Sequence, residues 1–136
     1  MIPENTKPTN FFKFEGLRIY HKSVDFTNAI LSLSNTAQTP AQKIIIDQFL
    51  TEAGYITSNI IEGAGHSKTE FIEYLQKAKS NIGKCVMLCE LALKQSLIDE
   101  TQKDDIRNEL IELTKMTGAL IVSLQGENNQ LQTSNC

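Results

Sequence analysis

The sequence predicts an all-α chain folded as a single antiparallel, up-down four-helix bundle, and three observations lead there. Four stretches carry apolar residues at spacings of three and four, the period of an amphipathic helix. The breaks between them are short and marked by helix-capping residues rather than by alternating strand patterns. Seven Gly and three Pro in 136 residues are too few for an all-β chain rich in turns. A chain of this length has one domain with one real core, and residues 14–125 hold all four periodic stretches. Residues 1–13 read as a polar arm ending in the aromatic cluster Phe11, Phe12 and Phe14. Residues 126–136, GENNQLQTSNC, have little to bury and read as a disordered tail.

The first helix spans about Leu17 to Ser34. Leu17, Tyr20, Val24, Thr27 and Leu31 form one stripe, and Ile19, Phe26, Ile30 and Leu33 a second. The next begins at Thr39-Pro40-Ala41-Gln42, where Thr39 can cap free amides, Pro40 occupies the first turn and Gln42 completes a capping box. Its apolar positions are Ile45, Phe49, Ala53, Ile56 and Ile60. The third helix has the most regular pattern: Phe71, Leu75, Ala78, Ile82, Cys85, Cys89 and Ala92 follow a 4-3-4-3-4-3 spacing. That 3.5-residue repeat suits left-handed supercoiled packing. Glu73–Lys77 and Glu90–Lys94 are spaced for helical ion pairs. Thr101-Gln102-Lys103-Asp104 opens the fourth helix, whose seam is Ile106, Leu110, Leu113, Thr117, Leu120 and Leu124.

Several helices are apolar on more than one stripe. The third adds Ile72, Val86, Met87, Leu88 and Leu91, and the fourth adds Ile111, Met116 and Ile121. A monomeric bundle needs one buried face per helix, so the surplus fits either an unusually thick core or a subunit interface. The second reading predicts a homo-oligomer.

The segment Ser58–Phe71, SNIIEGAGHSKTEF, invites a phosphate-loop reading that its details reject. A phosphate loop needs G-x-x-x-x-G-K-[ST] between a strand and a helix. Here Ser67 stands where glycine must precede Lys68, Gly63 is one residue too near, and the preceding segment is periodic as a helix. The same letters fit a corner. Gly63 or Gly65 supplies a left-handed helix stop, and Ser67-Lys68-Thr69-Glu70 a capping box. A carboxylate at a helix C-terminus opposes the dipole. Glu62 is therefore expected to bond the free amides of the third helix or a cation such as Arg18, with Asn59 in the same network.

No catalytic set emerges. His21 and His66 are too few for a histidine metal site, and the Glu-x-x-His pairs of di-iron bundles are missing from the sequence. Cys85 and Cys89 lie one turn apart but fall on the apolar seam, where small core residues are expected rather than ligands. No metal, no cofactor and no enzymatic activity are expected. Gly83, in mid-helix, suggests a close approach by another helix. Between Gln76 and Cys89 the only charges are Lys77, Lys79 and Lys84, a candidate nucleic-acid or partner-binding patch whose simpler reading is a solvated face. The formal charge of −3 gives no global reason to seek RNA or anionic lipid. Three cysteines, Cys85, Cys89 and Cys136, cannot form an even disulfide set. With a polar start and no apolar run near 20 residues, the expected compartment is the cytoplasm.

Several of these residues also carry a resemblance. Phe14, Leu17, Ile19, Tyr20, Lys22 and Ser23 resemble the opening of a bacterial family, and Ser58-Asn59-Ile60-Ile61-Glu62-Gly63 resembles its S-N-I-A-E-G signature. Phe71, Ile72, Leu75 and Ala78 resemble its third helix. Met116, Gly118, Leu120, Ile121, Ser123 and Leu124 resemble its fourth. The family is that of four-helix bundles encoded in intervening sequences of large-subunit ribosomal RNA genes, related to the accessory variability determinant of diversity-generating retroelements. The resemblance covers about residues 14–125. It implies a homopentamer without catalysis and, in the retroelement branch, a basic barrel that binds reverse transcriptase and RNA. This chain departs from the pattern. Leu50 and Thr51, followed by Glu52, replace a pair of arginines, His66 replaces a third, and Lys84 replaces a glutamate. The lost positive charge removes phosphate contacts and favours a protein partner over RNA. The same departures suggest a reversed ion pair, Glu52 with Lys84, between the second and third helices.

Overall fold

A computed structural model describes residues 11–134, with side chains through residue 126. After a 3-10 turn at Lys13–Gly16, four helices follow: α1 (Arg18–Leu33), α2 (Pro40–Ala64), α3 (Lys68–Lys94) and α4 (Glu100–Ser134). Short connections make sequence neighbours antiparallel. α2 and α3 form the tightest pair, α4 lies on α3 and α1 on α2, and the α1–α4 seam is the loosest. The arm assigned to residues 1–13 lies outside the described residues as far as Asn10. Its end packs as an aromatic chain, with ring centroids 5.0 Å apart for Phe11–Phe12, 5.7 Å for Phe12–Phe14 and 4.9 Å for Phe14–Tyr20.

The 3.5-residue pattern of α3 becomes the core: all seven of its seam residues are buried, as are all five of α2. On α1 the two stripes separate. Ile19, Phe26 and Ile30 face inward, while Val24 and Leu31 stay exposed. Ser23 is what decides between them. It is fully buried, donates to the Tyr20 carbonyl (2.7 Å) and accepts from Thr57 Oγ1 of α2 (2.8 Å), which fixes the face of α1 that meets the bundle. α4 contributes Leu110, Leu113, Thr117, Ile121 and Leu124, with Ile106 and Leu120 half-buried beside them. The surplus apolar residues divide likewise. Leu88 and Ile121 join the core, whereas Val86, Met87, Leu91 and Ile111 remain exposed.

Helix ends explain the remaining boundaries. At α2, Thr39 Oγ1 accepts from the Gln42 amide (3.1 Å) while Gln42 Oε1 accepts from the Thr39 amide (3.3 Å), the expected reciprocal cap. At α3, Ser67 Oγ accepts from the Glu70 amide (3.2 Å), but the Glu70 carboxylate accepts from the Ser67 hydroxyl instead of the cap amide. α4 starts earlier than Thr101. Asp99 Oδ1 accepts from the Gln102 amide (2.8 Å) and Gln102 Oε1 from the Asp99 amide (2.9 Å), so Asp99 is the cap. At the other end, helical backbone continues through Gly126 to Ser134, past the tail boundary suggested by composition.

The glycine stop expected after α2 is not a left-handed one. Among the described residues no glycine has positive φ, and Gly65 sits at φ −87°, ψ −1°. α2 ends in a tightened turn, Gly65 N to Glu62 O (3.2 Å) and His66 N to Gly63 O (3.1 Å). The left-handed residue is Ser96, at φ 57°. Its amide bonds the Leu93 carbonyl and the Leu97 amide bonds the Ala92 carbonyl, a Schellman stop for α3 made without glycine.

Candidate functional site

The signature residues Ser58, Asn59, Glu62 and Gly63 occupy the last two turns of α2, and their side chains go four ways. Ser58 turns back to its own helix, donating to the Gly54 carbonyl at 3.0 Å. Gly63 is buried where α2 and α3 come closest: a Cβ there would lie 2.7 Å from Phe71 Cδ1 and 2.8 Å from Tyr74 Cβ. Glycine serves close approach here, not turn geometry. Glu62 is exposed and meets neither the α3 amides nor Arg18; its neighbour is His66 Nε2, 3.5 Å from Oε1. His66 Nδ1 lies 3.0 Å from Glu70, and the imidazole stacks on Tyr74 at 5.4 Å. The corner is thus clipped on its outer side by His66 between two carboxylates, one from each helix.

Asn59 belongs to a different network. Its Nδ2 donates to Asn81 Oδ1 (2.8 Å), and Asn81 Nδ2 donates to Glu52 Oε2 (2.8 Å). Asn81 is buried on the α2 side of α3 and couples the two helices through both ends of its amide. The expected Glu52–Lys84 pair is present at 3.9 Å, but the lysine is largely exposed and Asn81 is the closer partner. Asn81 escaped the sequence reading, although it falls midway between Ala78 and Cys85 on the seam at spacings of three and four. A polar residue in such a position commonly sets helix register.

This relay floors a groove between α2 and α3. A cavity of about 500 Å³ is lined by Asp47, Thr51, Glu52, Lys84, Met87 and Leu88 among others. A second of about 350 Å³, lined by Tyr55, Asn59, Lys77, Ser80 and Asn81, shares Glu52 and Lys84 with it. Outward stripes flank the groove: Lys77, Ser80, Lys84, Met87 and Leu91 on α3, and Ile44, Gln48, Thr51 and Tyr55 on α2, at alternating spacings of three and four. The candidate lysine patch divides. Lys77 and Lys84 share the groove, with Lys77 Nζ held 4.6 Å over the Tyr74 ring. Lys79, two positions on, points about 200° away around the helix. Gly83 has nothing within 4 Å of where a Cβ would sit, so none of the described helices approaches it.

Cys85 and Cys89 are buried and free. Burial chiefly, then the nearby Glu52 carboxylate, pushes the Cys85 thiol up to about 12; burial also raises Cys89. Such thiols stay protonated and are poor ligands and nucleophiles. Among the described residues, no group of three or more His, Cys, Asp or Glu is arranged to hold a metal ion. Among the described residues, no helix is long and apolar enough to cross a membrane.

The family profile described as 23S rRNA-intervening sequence protein matches residues 15–119, which take in α1, α2, α3, the corner and most of α4. The chain belongs to that family. The 23S rRNA-intervening sequence fold also appears in a solved structure, a protein of unknown function from the S23 ribosomal protein family of Bacteroides thetaiotaomicron. It is 24% identical, covers 76% of this chain and 97% of its own, and superposes with a TM-score of 0.69. No curated protein matches the chain in sequence. The family is one of unknown function, and the shared architecture is four helices packed antiparallel.

Proposed function

We propose that this protein is a non-catalytic helical scaffold, assembled from several copies of the chain and binding a protein partner. The observation that carries this reading is the set of large apolar side chains left exposed on every helix, such as Leu31, Tyr55, Met87 and Ile111. They recur at helical spacing beside the buried seams, a pattern suited to further helix packing. The family resemblance supplies the count, five. RNA is the weaker partner: net charge is −3, and the lysines that could meet phosphate are split between two sides of α3.

Native mass spectrometry with light scattering tests the assembly. A mass built from units of five 15.2 kDa chains is expected, and a 15.2 kDa species at micromolar concentration overturns the scaffold reading. For the partner, no mobility shift with structured RNA is expected at low salt. A salt-sensitive shift abolished by changing Lys77, Lys79 and Lys84 to Gln would transfer the assignment to an RNA-binding or reverse-transcriptase-binding accessory protein.

A further inference from the structure

The α2–α3 face combines exposed apolar residues with charges arranged by wall. Ile44 and Tyr55 on α2 and Met87 and Leu91 on α3 are between 38% and 60% exposed. On the α2 wall the groove is lined by the carboxylates Asp47 and Glu52, and on the α3 wall by the lysines Lys77 and Lys84. Gly83, one turn before Met87, leaves open space that none of the described residues fills. A surface split in this way, acid on one helix and base on its neighbour, is complementary to a copy of itself.

We propose that two copies of the chain pair through their α2–α3 faces, α2 of each lying over α3 of the other. A two-fold axis parallel to the helices produces this arrangement, because it exchanges the walls while keeping every residue at its own height. Glu52 and Lys84 approach within 3.9 Å in one chain, so they share a level, and each Glu52 comes opposite Lys84 of the second copy. An axis across the helices would instead stack α2 on α2 and set carboxylate against carboxylate, which like-charge repulsion disfavours. The contact is isologous. It rests on the reading that copies of this chain associate, and it adds a joint that doubles whatever unit forms elsewhere, so a ring of five becomes ten.

Two charge variants test this on the full chain. Lys77→Glu with Lys84→Glu makes both walls acidic. Asp47→Lys with Thr51→Lys makes the face basic while keeping Glu52 and its bond from Asn81. Each alone should halve the wild-type mass by native mass spectrometry, with unchanged helical circular dichroism, and mixing them one to one should restore it. Met87→Asp should also halve the mass, and no second variant should rescue it. A wild-type assembly of an odd number of chains, or variants that keep the wild-type mass, overturns the face pairing while leaving the scaffold reading intact. A wild-type monomer overturns both.

Discussion

Two glycines in α2 show how much a residue's meaning depends on what faces it. Gly63 sits against Phe71 and Tyr74 at distances no Cβ tolerates, whereas a Cβ at Gly54 would meet nothing within 4 Å. Gly63→Ala should therefore lose about 1–3 kcal/mol through overpacking, despite alanine's better helix propensity. Gly54→Ala should gain about 0.5–1 kcal/mol. Urea melts of both variants check the pair; equal shifts of the same sign would mean that helix propensity alone governs α2. The seam thiols make a second residue-level case. With Cys85 pushed up to about 12 and Cys89 raised, both should resist iodoacetamide at pH 8 in the native protein and react on unfolding, as peptide mapping would record. The buried face of α3 was legible because a strict 3.5 repeat leaves one solution. Gly63 was legible as important but not for its reason, since a sequence shows a glycine and not the ring packed against it.

At the scale of the element, helix ends and the α2–α3 contact carry the information that periodicity does not. α3 stops on Ser96 in a left-handed conformation that favours glycine. Ser96→Gly should raise stability by about 0.5–1 kcal/mol with the Schellman bonds preserved, read as a shifted urea midpoint at constant slope. The coupling of α2 to α3 lies in Asn81 more than in Lys84. Asn81→Ala leaves Asn59 and Glu52 without their partner and should cost about 1–3 kcal/mol. Lys84→Ala removes a long, exposed ion pair and should cost under about 0.5 kcal/mol. Exchanging the Glu52 and Lys84 charges should therefore fail to restore stability, because lysine at position 52 cannot accept from Asn81. Charge reversal across two helices was visible in the sequence. The uncharged amide between them was not, because a mid-helix asparagine reads as surface until both of its neighbours are in place.

The whole molecule is closed least firmly where its first and last helices meet. Cavities of about 310, 320 and 240 Å³ lie along the α1–α4 seam, and Lys22 bridges it, with Nζ 2.8 Å from both Glu109 and Glu112. No sequence rule announced this fork, since Lys22 on α1 lies far along the chain from the two glutamates on α4 and only closure of the bundle brings them together. Hydrogen bonds to Glu109 and then Glu112 hold the Lys22 ammonium above its ordinary 10.5. The bond from Lys22, then its charge, holds the Glu112 carboxyl below its ordinary 4.5. A depressed carboxylate contributes stability above its unfolded value and loses it as pH falls through the folded one; a raised lysine contributes below 10.5 and loses it as pH rises through its folded value. Lys22→Met, which keeps the apolar stem, should thus lower the melting temperature most between those limits. The gap from wild type should narrow as the pH falls below the ordinary carboxyl value of 4.5 and again as it rises past the ordinary lysine value of 10.5. Melts followed by circular dichroism from pH 3 to pH 11.5 would show a flat-topped difference curve. A gap that stays constant through the acid limb would assign the effect of Lys22 to packing along the seam, and the closure of the bundle to its apolar residues alone.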